Sequence, residues 1–266
     1  MNGKLKEETM KIGVYDSGAG GLTVLYDAMN RLRHEEFVFY ADTENVPYGE
    51  KTVDEIRGFA MKAVTFLTEK GCKAVVVACN TATSAAIELL RSEFDIPIIG
   101  MEPAVKPAME DHPDGKILVL ATNVTVRGNK MKNLLEKYDP DGRVVLQPAP
   151  GLVELAESLN FGDDAENYLR SLFDRHDMNE FSAIVLGCTH FTYFKDIIKK
   201  LVPDDVKMVD GNAGTVKQLV RKLGEREQLE NNDQTLECYA SGEPLSEELQ
   251  QKVEFLLKRA EKMRNY

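Results

Sequence analysis

Two apolar runs in this chain end alike, in a cysteine followed by small polar residues. The first is Val75-Val76-Val77-Ala78-Cys79-Asn80-Thr81-Ala82-Thr83; the second is Ala183-Ile184-Val185-Leu186-Gly187-Cys188-Thr189-His190-Phe191-Thr192. Short runs rich in β-branched residues and without alternation read as strands buried on both faces. The polar residues behind each run read as a tight turn presenting a thiol and hydroxyls, then a helix start. Strands of that kind need a parallel sheet with helices on both faces, and the chain builds the device twice.

The remaining pattern is strand then helix, repeated. Residues 11–15 predict a first strand, Asp16 to Gly21 its exit loop, about 22–33 a helix and 37–40 a second strand. Thr52-Val53-Asp54-Glu55 has the form of a capping box, with Ile56, Phe59, Ala60, Ala63, Val64 and Leu67 at helical spacing behind it and Gly71 as the stop. Residues 73–78 then lead to Cys79, and 96–100 predict an edge strand because Pro97 cannot donate to a ladder. The pattern restarts with a strand at 116–120, a loop at Thr122 to Thr125 and a helix; 143–146, 183–186 and 206–209 are later strands. Residues 246 to about 263 predict a closing amphipathic helix.

Alternation of this kind predicts an α/β fold of two similar lobes, each a largely parallel sheet covered by helices. The first lobe takes residues 1–102 and is completed by 213–266; the second takes 103–212. Ligands gather beyond the carboxyl ends of strands in such sheets. Both cysteines lie at such ends, so the active site is expected in the cleft between the lobes.

A net charge of −11 with no basic run argues against nucleic acid as the main partner. The same charge gives no overall attraction for an anion, so an acidic ligand needs local donors. No apolar stretch reaches the length of a membrane span, and the polar residues 1–10 read as a short tail without a secretion signal; the expectation is a cytoplasmic protein. Cys72, Cys79, Cys188 and Cys238 form no Cys-x-x-Cys pair and suggest neither a zinc knuckle nor a disulfide scaffold. Cys72 and Cys238, without a polar triplet behind them, read as small buried hydrophobes.

Four strand exits carry small polar side chains and unpaired amides: Asp16-Ser17-Gly18, Cys79-Asn80-Thr81, Thr122 to Thr125 and Cys188-Thr189-His190. Amides and hydroxyls at helix starts favour an anion, and the scarcity of lysine and arginine in these loops suits a small carboxylic acid better than a nucleotide. The cluster Gly18-Ala19-Gly20-Gly21 is out of register for Gly-x-Gly-x-x-Gly and lacks the Gly-Lys-Ser/Thr of a phosphate loop, so a sharp turn is the better account. For the cysteines three readings stand. As metal ligands they lack partners, Cys188 and His190 at i and i+2 being a weak signal. As a single nucleophile, Cys188 with His190 leaves the matching Cys79 unexplained. As an acid–base pair, two thiols flanking one carbon suit inversion of a stereocentre, with Asp16 and His190 tuning one sulfur each.

These residues resemble the glutamate racemases of the aspartate/glutamate racemase superfamily. The resemblance lies in Gly13-Val14-Tyr15-Asp16-Ser17-Gly18-Ala19-Gly20-Gly21-Leu22, in Ala41-Asp42 to Val46-Pro47-Tyr48-Gly49, in Ala78-Cys79-Asn80-Thr81-Ala82-Thr83 and in Leu186-Gly187-Cys188-Thr189-His190. It implies a cofactor-independent, metal-free two-base isomerase interconverting L- and D-glutamate and supplying D-glutamate for peptidoglycan, as a homodimer. It also implies that Cys79 works on the D-glutamate face with Asp16 and Cys188 on the L-glutamate face with His190. Asp16, Ser17, Pro47, Tyr48, Gly49, Asn80, Thr81, Thr125, Glu154, Thr189 and His190 match substrate-contacting positions. The chain departs from the family pattern at residues 121–128 and at Phe191-Thr192, which bear on the pocket wall. A racemase of aspartate or another small acid, a thiol lyase or hydrolase of the same fold, and a non-catalytic acid-binding module are the competing readings.

Overall fold

The computed structural model describes residues 11–226, 229 and 233–266; the tail expected at 1–10 lies outside the described residues. The chain begins with β1 (Lys11–Asp16), α1 (Leu22–Arg31), β2 (Glu36–Ala41), α2 (Val53–Glu69), β3 (Cys72–Val77), α3 (Asn80–Glu93), β4 (Ile98–Gly100) and α4 (Val105–Asp111). It continues with β5 (Lys116–Ala121), α5 (Asn123–Arg127), α6 (Asn129–Tyr138), β6 (Val144–Pro148), α7 (Gly151–Glu157), α8 (Asp163–Phe173), β7 (Phe181–Leu186), α9 (Lys195–Leu201) and β8 (Lys207–Asp210). It closes with α10 (Asn212–Glu225), β9 (Leu236–Ala240), β10 (Glu243–Pro244) and α11 (Glu247–Met263).

These strands make two sheets, in the orders β10-β9-β2-β1-β3-β4 and β6-β5-β7-β8. Every pairing is parallel except β10 with β9. The four strands β2-β1-β3-β4 of the first sheet and all four of the second share one topology, in which the first strand of the unit lies between the second and third. The likeness reaches the register. The β1–β3 ladder slips between Lys11 and Ile12, and the β5–β7 ladder slips between Lys116 and Ile117. Cys79 and Cys188 each follow the third strand of their unit, at the carboxyl end beside the central strand, where connections leave to opposite faces.

The central strands are buried along nearly their whole length, as continuous apolar runs require. Lys73 lies inside buried β3 and is compensated by Glu35 at 2.7 Å. On one side α1 packs against α10 and α11, and on the other α2 packs against α3. The capping box at Thr52 is formed with Glu55, and Ser246 caps α11. The segment at Thr122 to Thr125 differs from the expected loop: Thr122 caps a short helix by accepting from the Thr125 amide. Strand β9 was not expected; it lies beside β2 and brings the C-terminal part of the chain onto the first sheet. Among the described residues no helix is long and apolar enough to cross a membrane.

Candidate active site

The loop after β1 meets the turn after β7 across the gap between the sheets. Thr189 Oγ1 donates to Asp16 Oδ2 at 2.9 Å and Tyr193 Oη donates to the Ala19 carbonyl at 2.9 Å. This close approach accounts for the glycines of the loop. A Cβ on Gly20 would enter the space of Thr189 Oγ1 and the His190 ring, and one on Gly18 would collide with Glu157 Oε1. The glycine cluster therefore makes room for side chains of the second lobe and cradles no phosphate.

Above this contact lies a small cavity, and Cys79 and Cys188 both line it, one from each lobe. Ser17, Pro47, Tyr48, Gly49, Thr81, Thr189 and His190 also line it, with Glu154 at an exposed edge. Three expected residues stand behind the wall. Asp16 is fully buried beneath Ser17, Asn80 donates from Nδ2 to the Met101 carbonyl, and Thr125 lies behind Thr122. Thr122 itself takes the wall position, 2.9 Å from Thr81 Oγ1, with Glu50, Pro150 and Val153 nearby.

Around Cys79 the hydrogen bonds run toward an acid. The thiol donates to Ser17 Oγ at 3.4 Å, Ser17 donates to Asp16 Oδ1 at 3.1 Å, and the Ala82 amide donates to the sulfur at 3.3 Å. Burial pushes the Cys79 thiol up to about 12, and the negative charge of Asp16 adds to it. Asp16 is itself pushed above the ordinary carboxyl range by burial, against the opposing charge of His190 and bonds from Gly18, Thr189 and Ser17. This half of the site holds a proton on sulfur.

Around Cys188 the partner is a base. His190 Nδ1 lies 3.8 Å from Cys188 Sγ, and Nε2 lies 2.7 Å from Glu157 Oε1. The Gly20 amide also points at Nε2, at 3.2 Å, but a bare nitrogen lone pair would repel a carboxylate oxygen at 2.7 Å. Nε2 therefore carries a proton, donated to Glu157. Burial works against charge on the ring, yet the bonds to Cys188 and Glu157 outweigh it and raise His190 well above its ordinary value. Burial likewise opposes charge on Glu157, but His190 and Lys252 hold its carboxyl down at about 2.

Glu157 escapes a reading of the sequence. Its one local signal is the i, i+3 spacing from Glu154 on α7, which puts both on neighbouring helix positions. A second unexpected group supports the wall at Tyr48, whose hydroxyl donates to Asp42 Oδ2 at 2.5 Å and lies 2.8 Å from the Tyr15 hydroxyl. Burial pushes both tyrosines well above the ordinary phenol range, so they stay neutral donors.

The Asp/Glu/Hydantoin racemase family matches residues 25–219. A glutamate racemase of Lachnospira eligens is 46% identical over 263 residues, spanning 96% of this chain and 99% of that protein. Among solved structures, glutamate racemase isoform RacE1 from Bacillus anthracis superposes with a TM-score of 0.81 at 29% identity, covering 94% of this chain and 93% of that one. The glutamate racemase of Francisella tularensis, solved in complex with D-glutamate, gives 0.80 at 27% identity with 94% of each chain covered.

Proposed function

The chain belongs to the Asp/Glu/hydantoin racemase family, and from that premise we propose that it interconverts L- and D-glutamate by two-base proton transfer. One observation carries the reading: thiols from two separate sheets line a single small cavity. In the L-to-D direction the Cys188 thiolate takes the α-proton. The C–H electron pair stays on the substrate as carbanion-like charge spread into its carboxylate. The Cys79 thiol then delivers its own proton to the opposite face, leaving Cys79 as thiolate and Cys188 as thiol. The D-to-L direction reverses these steps.

An α-carbon beside a carboxylate is a very weak acid, so fixed donors and exclusion of water must stabilise the developing charge. Ser17, Thr81, Thr122 and Thr189 supply hydroxyls on the wall, and Cys79 and Cys188 are only 4% and 7% exposed. Entry of substrate into so closed a site requires the lobes to part, which makes opening a step of the cycle. Supply of D-glutamate for peptidoglycan and a homodimeric state are part of the same proposal and rest on the family resemblance; a cytoplasmic location is proposed with them as the default for a chain of this composition.

The test is deuterium incorporation at the α-carbon of each enantiomer in heavy water. Wild-type protein should exchange and invert both. Cys79→Ala and Cys188→Ala should each lose inversion by at least about a thousandfold, a general acid or base being worth on the order of 10²–10⁴. Wild-type turnover in either variant sinks the two-thiol assignment. Exchange with aspartate and none with glutamate would move the substrate.

A further inference from the structure

Nothing local in the sequence marks Glu157 as chemical, yet three distant parts of the chain converge on its carboxylate. Oε1 accepts from the Ala19 amide at 2.7 Å and from His190 Nε2 at 2.7 Å, and Oε2 accepts from Lys252 Nζ of α11 at 2.6 Å. The bare Cα of Gly18 leaves Oε1 its space. We propose that Glu157, braced by Lys252 of the C-terminal helix, is a positioning residue that keeps His190 protonated on both ring nitrogens and turns Nδ1–H toward Cys188. The inference deepens the racemase reading and rests on it, since it names what sets the Cys188 half of that site.

The geometry leaves the ring little choice. With Nε2–H given to Glu157, the second nitrogen faces sulfur at 3.8 Å, a reach at which an N–H can bond a thiolate. An imidazolium between two anions is the arrangement in which both contacts attract. Lys252 fixes which carboxylate oxygen faces the ring and neutralises the charge that would otherwise be left over. The other charged or titratable groups around the pair are Asp16 from β1 through Thr189, Cys79 behind β3, Tyr193 of the turn after Cys188, and Arg259 of α11, which donates to the Tyr193 carbonyl. Of these and the pair's own partners, Glu157 is the carboxylate in direct contact with the ring.

A merely structural Glu157 would alter stability and leave ring protonation alone, so the test reads the ring. The chain has four histidines, few enough to assign His190 by ¹⁵N-detected imidazole NMR with a His190→Asn control. In the wild type near neutral pH both ring nitrogens should show protonated shifts. In Glu157→Gln, which keeps an oxygen for the Ala19 amide, Nε2 should lose its proton and alkylation of Cys188 by iodoacetamide should slow about tenfold, the effect of one unit of displaced ionisation. Peptide mass mapping separates Cys188 from Cys79. Lys252→Gln, which replaces an ammonium about a fifth exposed, leaves the Glu157 charge unneutralised and should move the His190 titration midpoint to higher pH.

A His190 ring that stays doubly protonated in Glu157→Gln, or whose midpoint fails to rise in Lys252→Gln, overturns the proposal, as does a wild-type ring that is neutral near neutral pH. Heavy-water exchange is measured on the same samples. Exchange without the ring effect sinks this inference alone; the ring effect without wild-type exchange sinks the racemase reading alone.

Discussion

Cys79 and Cys188 occupy the same place in two copies of one topology, but their surroundings have opposite character. Cys79 caps the 14-residue α3, takes the Ala82 amide on its sulfur and gives its proton toward Ser17 and Asp16. Cys188 opens a 3-10 turn with no side-chain cap and faces an imidazole backed by Glu157 and Lys252. One setting retains a proton on sulfur, and the other turns an imidazole toward it. A duplicated scaffold thus supplies two thiols at matched positions, and under the proposed mechanism the neighbours each sulfur meets in space, Asp16 with Ser17 or His190, would divide acid from base.

Breaking that division is expected to have the largest effect. Asp16→Asn should lower kcat for D-glutamate and His190→Asn should lower kcat for L-glutamate, each by about 10²–10³ in its own direction. The ratio kcat/KM must stay equal in the two directions for any variant, because the enantiomers have equal free energy. The asymmetry therefore has to appear in kcat and KM separately. Equal loss of kcat in both directions by both variants would show that the two halves are not specialised.

A smaller effect, about tenfold, is expected in thiol reactivity. Iodoacetamide should modify Cys188 faster than Cys79 near neutral pH, since the Cys79 thiol is pushed up to about 12 by burial and by Asp16. Saturating glutamate should protect both. Peptide mapping over time checks the order, and modification of Cys79 first would reverse the assignment of acid and base. Loss of activity that ignores glutamate would point to Cys72 or Cys238 instead.

What the sequence makes legible here is whatever local pattern determines. Unbroken apolar runs locate the inner strands, and the capping box at Thr52 and the cap at Ser246 form as their spacing requires. Strand β9 is hidden because Leu236-Glu237-Cys238-Tyr239-Ala240 is half-buried near the sheet edge and shows neither an unbroken apolar run nor strict alternation, so packing against β2 rather than local hydrophobicity decides. Thr122 reads equally as a loop residue or a cap, and only the helix behind it settles which. Both cysteines, Ser17, Thr189 and His190 are legible as strand-exit residues. Glu157 is not, because its meaning comes from partners 138 and 95 residues away in the chain, Ala19 and Lys252. No window of sequence holds that information.

The smallest effect expected is on stability, and its pH dependence should separate the two halves once more. Glu157 is held at about 2 against an ordinary 4.5, so its contribution is present above about 4.5 and is lost as pH falls toward 2. His190 is raised above 6.5, so its contribution is complete below 6.5 and is lost as pH climbs through the folded value. The pair is therefore fully stabilising between those limits. Glu157→Gln should cost about 1.5–3 kcal/mol there, the range for a hydrogen bond to a charged group, and less on either side. Cys79, raised like His190, acts at higher pH: its folded value of about 12 against 9.0 means the protein loses stability as pH rises past 9, and Cys79→Ala should remove that alkaline loss. Urea unfolding of wild type and both variants across this pH range measures the gaps directly. A Glu157→Gln gap that stays constant from acid to alkaline pH would mean the side chain contributes packing and no charge, and the contrast between the two thiol sites would then rest on Cys79 alone.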